Sequence, residues 1–258
     1  MTEQEWLTAV DPEPMLAFLR GRATDRKLRL FGWECLRCTW PLLDAEWERM
    51  VNNPWWRRMR FSRVEIEWAK THADLVRKGV ELAEKVADGL ADRSELEALF
   101  TSPQAQSWDI HAANEPSLAA DCFTGYTGAD AAQMAKACAY RARYVAKYNS
   151  PASYPFFARF RCESPVDYDR EQAAQCDRLR DVVGNPFRPV TFAPEWRTDT
   201  VLSLVRQMYE SCDFGVLPIL ADALQDAGCN NEDILGHCRG PGPHVRGGWV
   251  VDLVLGKE

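Results

Sequence analysis

The sequence predicts a mostly α protein: a multi-helix bundle or stacked-helix array, with a division into two helical subdomains as one option. Three observations lead there. Apolar residues recur at helical spacing almost throughout, and no pair of alternating runs flanks an Asn-Gly or Asp-Gly hairpin turn. One seam, Ile66, Ala69, Ala73, Val76, Val80, Ala83, Ala87 and Leu90, alternates steps of three and four and requires a single long helix.

The elements follow in order. After Asp11-Pro12, the set Met15, Leu16, Phe18 and Leu19 reads as a short helix ending at Gly21. Asp25 is the expected cap of a second helix carrying Leu28, Leu30, Phe31 and Leu36 until Pro41 stops it. In the long helix, Leu75 and Leu82 widen the stripe from a two-stranded seam toward bundle packing. Asp88-Gly89 marks its end, because glycine tolerates the left-handed conformation, although Leu90 extends the pattern slightly. Asp92 with Glu95 has the form of a capping box and opens the next helix through Leu96, Leu99 and Phe100.

Residues 101–116 read as a loop, and Ala131 to Tyr148 as a continuous, Ala-rich helix after breaks at Gly125 and Gly128. The three prolines between Asn149 and Pro165 place the boundary near 149–165, between an N-terminal helical region 1–149 and a C-terminal one 166–258. Asp167 is the expected cap of a helix running to Val183 and stopped by Gly184-Asn185-Pro186. Val201, Leu204, Val205 and Met208 mark the next helix. Leu217, Leu220, Ala221 and Leu224 mark another, and Asn230 with Asp233 opens a short one over Ile234 and Leu235. Trp249 to Leu255 fits either a strand, by its valines, or one helical face.

Composition narrows the function classes. The 258 residues carry a net charge of −7, which argues against coating nucleic acid or anionic membrane over the whole surface. Nine cysteines, an odd number without a framework, imply free thiols and a reducing cytoplasm. Glu3 and Glu5 occupy the place where an export signal carries positive charge, so none is expected. The late apolar run from Trp249 to Leu255 is interrupted by Asp252 and is far short of the roughly 20 residues that a membrane span needs.

Thr2 to Leu7, Pro12 to Arg20, Asp25 to Phe31, Gly184 to Val190, Leu217 to Cys229 and His237 to Glu258 resemble segments of an uncharacterised bacterial protein family. The family opens with Thr-Glu-x-Glu-Trp-Leu and Pro-x-x-Met-Leu-x-Phe-Leu-Arg. The resemblance covers both ends, roughly half of the chain, and is most specific in the closing segment. It implies no substrate, cofactor or catalytic residue. In the family's Cys-rich patch only Cys35 coincides, and Cys38 stands where a basic residue is typical, so this CxxC is not implied as a family metal motif.

Several constellations carry candidate chemistry. Cys35 and Cys38, with Cys229, His237, Cys238 and His244, contain enough donors for a tetrahedral zinc. The CxxC lies inside a helical pattern, however, and cysteine is readily buried, so buried thiols are the preferred reading and no metal or cofactor is expected. Asp177 with Asp181, and Asp222 with Asp226, place carboxylates one helical turn apart, an arrangement that binds a divalent metal if the two helices face each other; exposed acid pairs are far commoner and are the preferred reading. Within 131–162, Lys136, Arg141, Arg143, Lys147, Arg159 and Arg161 give +6 without an acid, interleaved with Tyr140, Tyr144 and Tyr148. That is a composition for contacting phosphates and stacking bases; the alternative is tyrosines packed inward beneath a solvated basic face. Arg239, His244 and Arg246, in the Pro/Gly stretch 239–248, are candidates to converge on an anion, against the plainer reading of a rigid connector. The motifs GxSxG and HExxH are missing.

The leading expectation is a non-enzymatic helical protein acting through protein contacts, with the cluster around Trp55 and Trp56 as its surface, because Trp and Arg are enriched at binding hot spots. The runner-up is polyanion or single-stranded nucleic-acid binding through the basic and aromatic segment 136–161. An enzyme of unrecognised type comes third.

Overall fold

The computed structural model describes residues 1–38, 40, 63–101, 131–148 and 165–257. The Trp55 and Trp56 cluster, the Pro41 stop, the loop at 102–116, the boundary segment 149–164, Arg159 and Arg161 lie outside the described residues. Described are α1 (Glu3–Thr8), α2 (Pro12–Leu19), α3 (Asp25–Arg37), α4 (Arg63–Ala87), α5 (Arg93–Thr101), α6 (Ala131–Tyr148), α7 (Pro165–Val183), α8 (Asp199–Ser211), α9 (Leu217–Asp226), α10 (Glu232–Arg239) and α11 (Trp249–Leu255). A 3-10 turn covers Pro194–Trp196, and no strand occurs among the described residues. The fold is therefore mostly α.

The chain forms two compact units, one combining Met1–Phe31 with Gln172–Glu258 and the other spanning Gly32–Glu171. In the first, α8 packs against α9 and α11, and α10 against α9 and α11. Their apolar faces meet at Val201, Val205, Met208, Leu217, Leu220, Leu224, Ile234, Val250 and Val254. Burying each such side chain contributes about 1.5–3 kcal/mol. The N-terminal helices are held in this unit by polar contacts at helix ends. Arg180 donates to the carbonyls of Trp6 at 2.9 Å and Ala9 at 2.7 Å, satisfying acceptors that α1 leaves open. Asn185 donates to Glu3 at 2.8 Å, and Phe18 stacks on Phe187 at 5.1 Å. In the second unit, Trp33, Leu36, Val80, Ala83, Leu96 and Cys138 form the core, and Arg37 pairs with Glu84.

Local signals explain most helix ends. Asp11 caps α2 through the Glu13 N–H at 3.0 Å. At α5 the Asp92 N–H donates to Glu95 Oε1 at 2.9 Å, as the capping box expects, while the Asp92 side chain accepts from the Ser94 N–H at 2.8 Å and not from that of Glu95. The long helix stops at Ala87. The Leu90 N–H returns to the Lys85 carbonyl and the Gly89 N–H to that of Val86, with Gly89 at φ +68°.

Two caps fall one residue from their expected places, and a third helix begins before its expected cap. Thr24, not Asp25, accepts the Lys27 N–H, because Asp25 is already inside the first turn. Asn231, not Asn230, accepts the Ile234 N–H, the three-residue reach that a cap requires. The seventh helix begins at Pro165, which fits a first turn where the missing N–H costs nothing, so Asp167 is not its cap. The final element, Trp249–Leu255, is a helix. Its buried Val250, Val251 and Val254 share the α8 side, and Gly256 at φ +68° ends it.

Candidate functional site

The residues that fill the first unit's polar interior come from distant parts of the chain. Burial of α7 sends Asp181 inward, where its side chain is 3% exposed. His237 arrives from α10 and His244 from the segment 240–248. That segment contains a cis Gly242–Pro243 bond. It also needs glycine at 247, where φ is +84° and a Cβ would lie 2.6 Å from Leu30 Cδ1.

Hydrogen bonding fixes the state of each ring. His244 Nδ1–H donates to Asp181 Oδ1 at 2.8 Å, and its Nε2 faces the Gly240 carbonyl at 3.2 Å. Both neighbours are acceptors, so His244 satisfies both as an imidazolium. Asp181 raises the His244 pKa, and partial burial opposes it only in part. The Trp249 Nε1–H donates to His237 Nδ1 at 3.1 Å. An indole nitrogen only donates, so His237 is the Nε2–H tautomer, and Nε2 points at Asp181 Oδ1 3.2 Å away. The Val245 N–H donates to the other carboxylate oxygen at 2.9 Å. Burial acts to raise the Asp181 carboxyl, but the bonds from His237, His244 and Val245 outweigh it and hold the pKa below the usual range.

A second buried carboxylate stands beside this centre. Asp252 of α11 takes two bonds from Arg26, at 2.7 and 3.1 Å, and an ion pair from Lys27. Arg26 also donates to the Tyr209 hydroxyl at 2.7 Å. The Lys27 ammonium donates to the carbonyls of Val182 at 2.8 Å and Gly247 at 2.7 Å, tying α3 to the end of α7 and to the 240–248 segment. Burial lowers the Lys27 pKa, and Asp252 offsets this only partly.

The candidates named from sequence are distributed as follows. His237 and His244 meet, but at Asp181 and not at cysteine. Cys238 is fully buried, and its thiol is pushed up to about 12 by burial first, with Cys229 and Asp181 adding to it, so it stays protonated at neutral pH. Cys229 and Cys35 are buried, and Cys38 donates to Glu34. Arg239 turns to Asp222 and Gln225, while Arg246 lies over the Tyr209 ring at 4.5 Å, so Arg239, His244 and Arg246 take separate partners. Arg143 is buried on α6, where Lys136 and Tyr140 are exposed; Arg141 and Lys147 lie on the same helix. Asp177 pairs with Arg180, apart from Asp181.

No family model, curated protein or solved structure matches the chain. The functional reading therefore rests on the site itself. Sequence reasoning misses Arg26 and Lys27, and meets Asp181 only as half of an acid pair with Asp177 and Asp252 only as a break in an apolar run. The available signal was the single charge of Asp252 inside the apolar run from Trp249 to Leu255.

Proposed function

We propose that the chain is a non-enzymatic helical protein that works through contacts with other proteins. The observation that carries this reading is a division of labour in the first unit. Its inward charges, Arg26, Lys27, Asp181, His244 and Asp252, are engaged with one another or with backbone carbonyls, which fits a rigid platform. The large apolar side chains of Leu7, Val10 and Ile219 remain about half exposed or more. The free thiols among the described cysteines support a reducing, cytoplasmic setting. No helix among the described residues is long and apolar enough to cross a membrane.

Light scattering and pull-down on the full chain test the reading, repeated with Trp55→Ala/Trp56→Ala and with Val10→Asp/Ile219→Asp. Loss of association in either double variant supports it. Unchanged association in both, or a parent chain that stays alone, contradicts it.

One observation favours a second reading, polyanion binding: Lys136 and Tyr140 are exposed one turn apart on α6. Anisotropy of a labelled single-stranded oligonucleotide should then fall steeply with added salt and be lost in Lys136→Ala/Tyr140→Ala. Salt-insensitive binding, or none at low ionic strength, removes it.

A further inference from the structure

We propose that Asp181, His237 and His244 form a binding site for one divalent transition-metal ion, with zinc as the best match. Three donors reach one point from three places in the first unit, and their ligand atoms lie within 4.8 Å of one another. Two imidazoles and one carboxylate suit zinc and its neighbours; calcium and magnesium call for oxygen ligands. Zinc bonds of about 2.0–2.2 Å in a tetrahedron put ligand atoms roughly 3.3–3.6 Å apart. Asp181 Oδ1 is already 3.2 Å from His237 Nε2 and 2.8 Å from His244 Nδ1, so closure around an ion needs small shifts.

The surroundings orient the donors. Val245 holds Asp181 Oδ2 and leaves Oδ1 directed at both rings, and His244 Nε2–H is bound outward to the Gly240 carbonyl, the usual support for a histidine that ligates through its other nitrogen. The two imidazole side chains are 18% and 13% exposed, enough to admit an ion and leave a fourth position for water or a donor from a partner. The protons balance simply. On binding, His244 releases its Nδ1 proton to solvent, and the His237 proton moves from Nε2 to Nδ1. That second step opposes the Trp249 N–H, so binding must break this one hydrogen bond, at a cost of about ten- to a hundredfold in affinity.

The test uses the full chain, stripped with chelator and dialysed, then titrated with Zn2+ by calorimetry and with Co2+ followed by its visible absorption. Expected is one equivalent of Zn2+ bound at roughly micromolar affinity or tighter, a rise in melting temperature with Zn2+ but not Mg2+, and a loss of about a hundredfold in His237→Gln or His244→Gln. Trp249→Phe removes the competing N–H and should bind Zn2+ at least as tightly as the parent. The proposal is overturned if the parent shows no saturable binding, if His237→Gln/His244→Gln keeps the parent affinity, or if Trp249→Phe weakens binding tenfold. Thermal melting of the parent with each metal keeps the test decisive should a variant fail to fold.

Discussion

Asp181 and Asp252 are both nearly inaccessible, and each needs partners whose removal would strand a charge. Asp252→Ala leaves Arg26 and Lys27 half-paired in the interior, and urea unfolding should show a loss of about 3–5 kcal/mol; a loss below 1 kcal/mol would show that the pair is solvated. Cys238 sets a pH dependence. The folded thiol ionises near 12 and the unfolded one near 9, so the unfolded state sheds the proton first and stability declines as pH rises from about 9 towards 12. Mass spectrometry after alkylation at neutral pH should find the exposed Cys212 modified and Cys238 untouched until the protein is unfolded. At this scale the sequence was only partly legible. His237 and His244 stood out as neighbours in a short segment, whereas Asp181 is more than fifty residues away and looked like half of an exposed acid pair with Asp177. Nothing local distinguishes a carboxylate that faces solvent from one that faces two imidazoles.

Helices were more readable, because their signals are local. The long α4 seam, the Asp92 and Glu95 pair and the glycine stop at 89 each depend on residues spaced about one turn apart. The caps at Thr24 and Asn231 were misplaced because two adjacent polar residues compete and the sequence does not rank them. The last helix could not be separated from a strand, since its valines satisfy both periods and only packing on α8 decides. Two glycines make a paired test of the segment that carries His244. Gly247→Ala forces a side chain onto Leu30 at φ +84° and should cost about 1–3 kcal/mol, whereas Gly236→Ala, in α10 with open space around it, should add up to about 1 kcal/mol. Equal effects from the two in thermal denaturation would contradict the close approach at Leu30.

At the scale of the whole molecule, the first unit draws its polar interior from both ends of the chain. Arg26 and Lys27 come from the first 31 residues, and Asp181, Gly247 and Asp252 from 172–258. Such closure is invisible to periodicity, which reports faces but not their partners. The most direct measurement is circular dichroism of a fragment covering residues 172–258, alone and with a peptide of residues 1–31. The fragment alone should be poorly helical and melt without cooperativity, and the added peptide should restore a cooperative, helical unit. Full helicity and sharp melting of the fragment alone, unchanged by the peptide, would contradict the joining of the two ends.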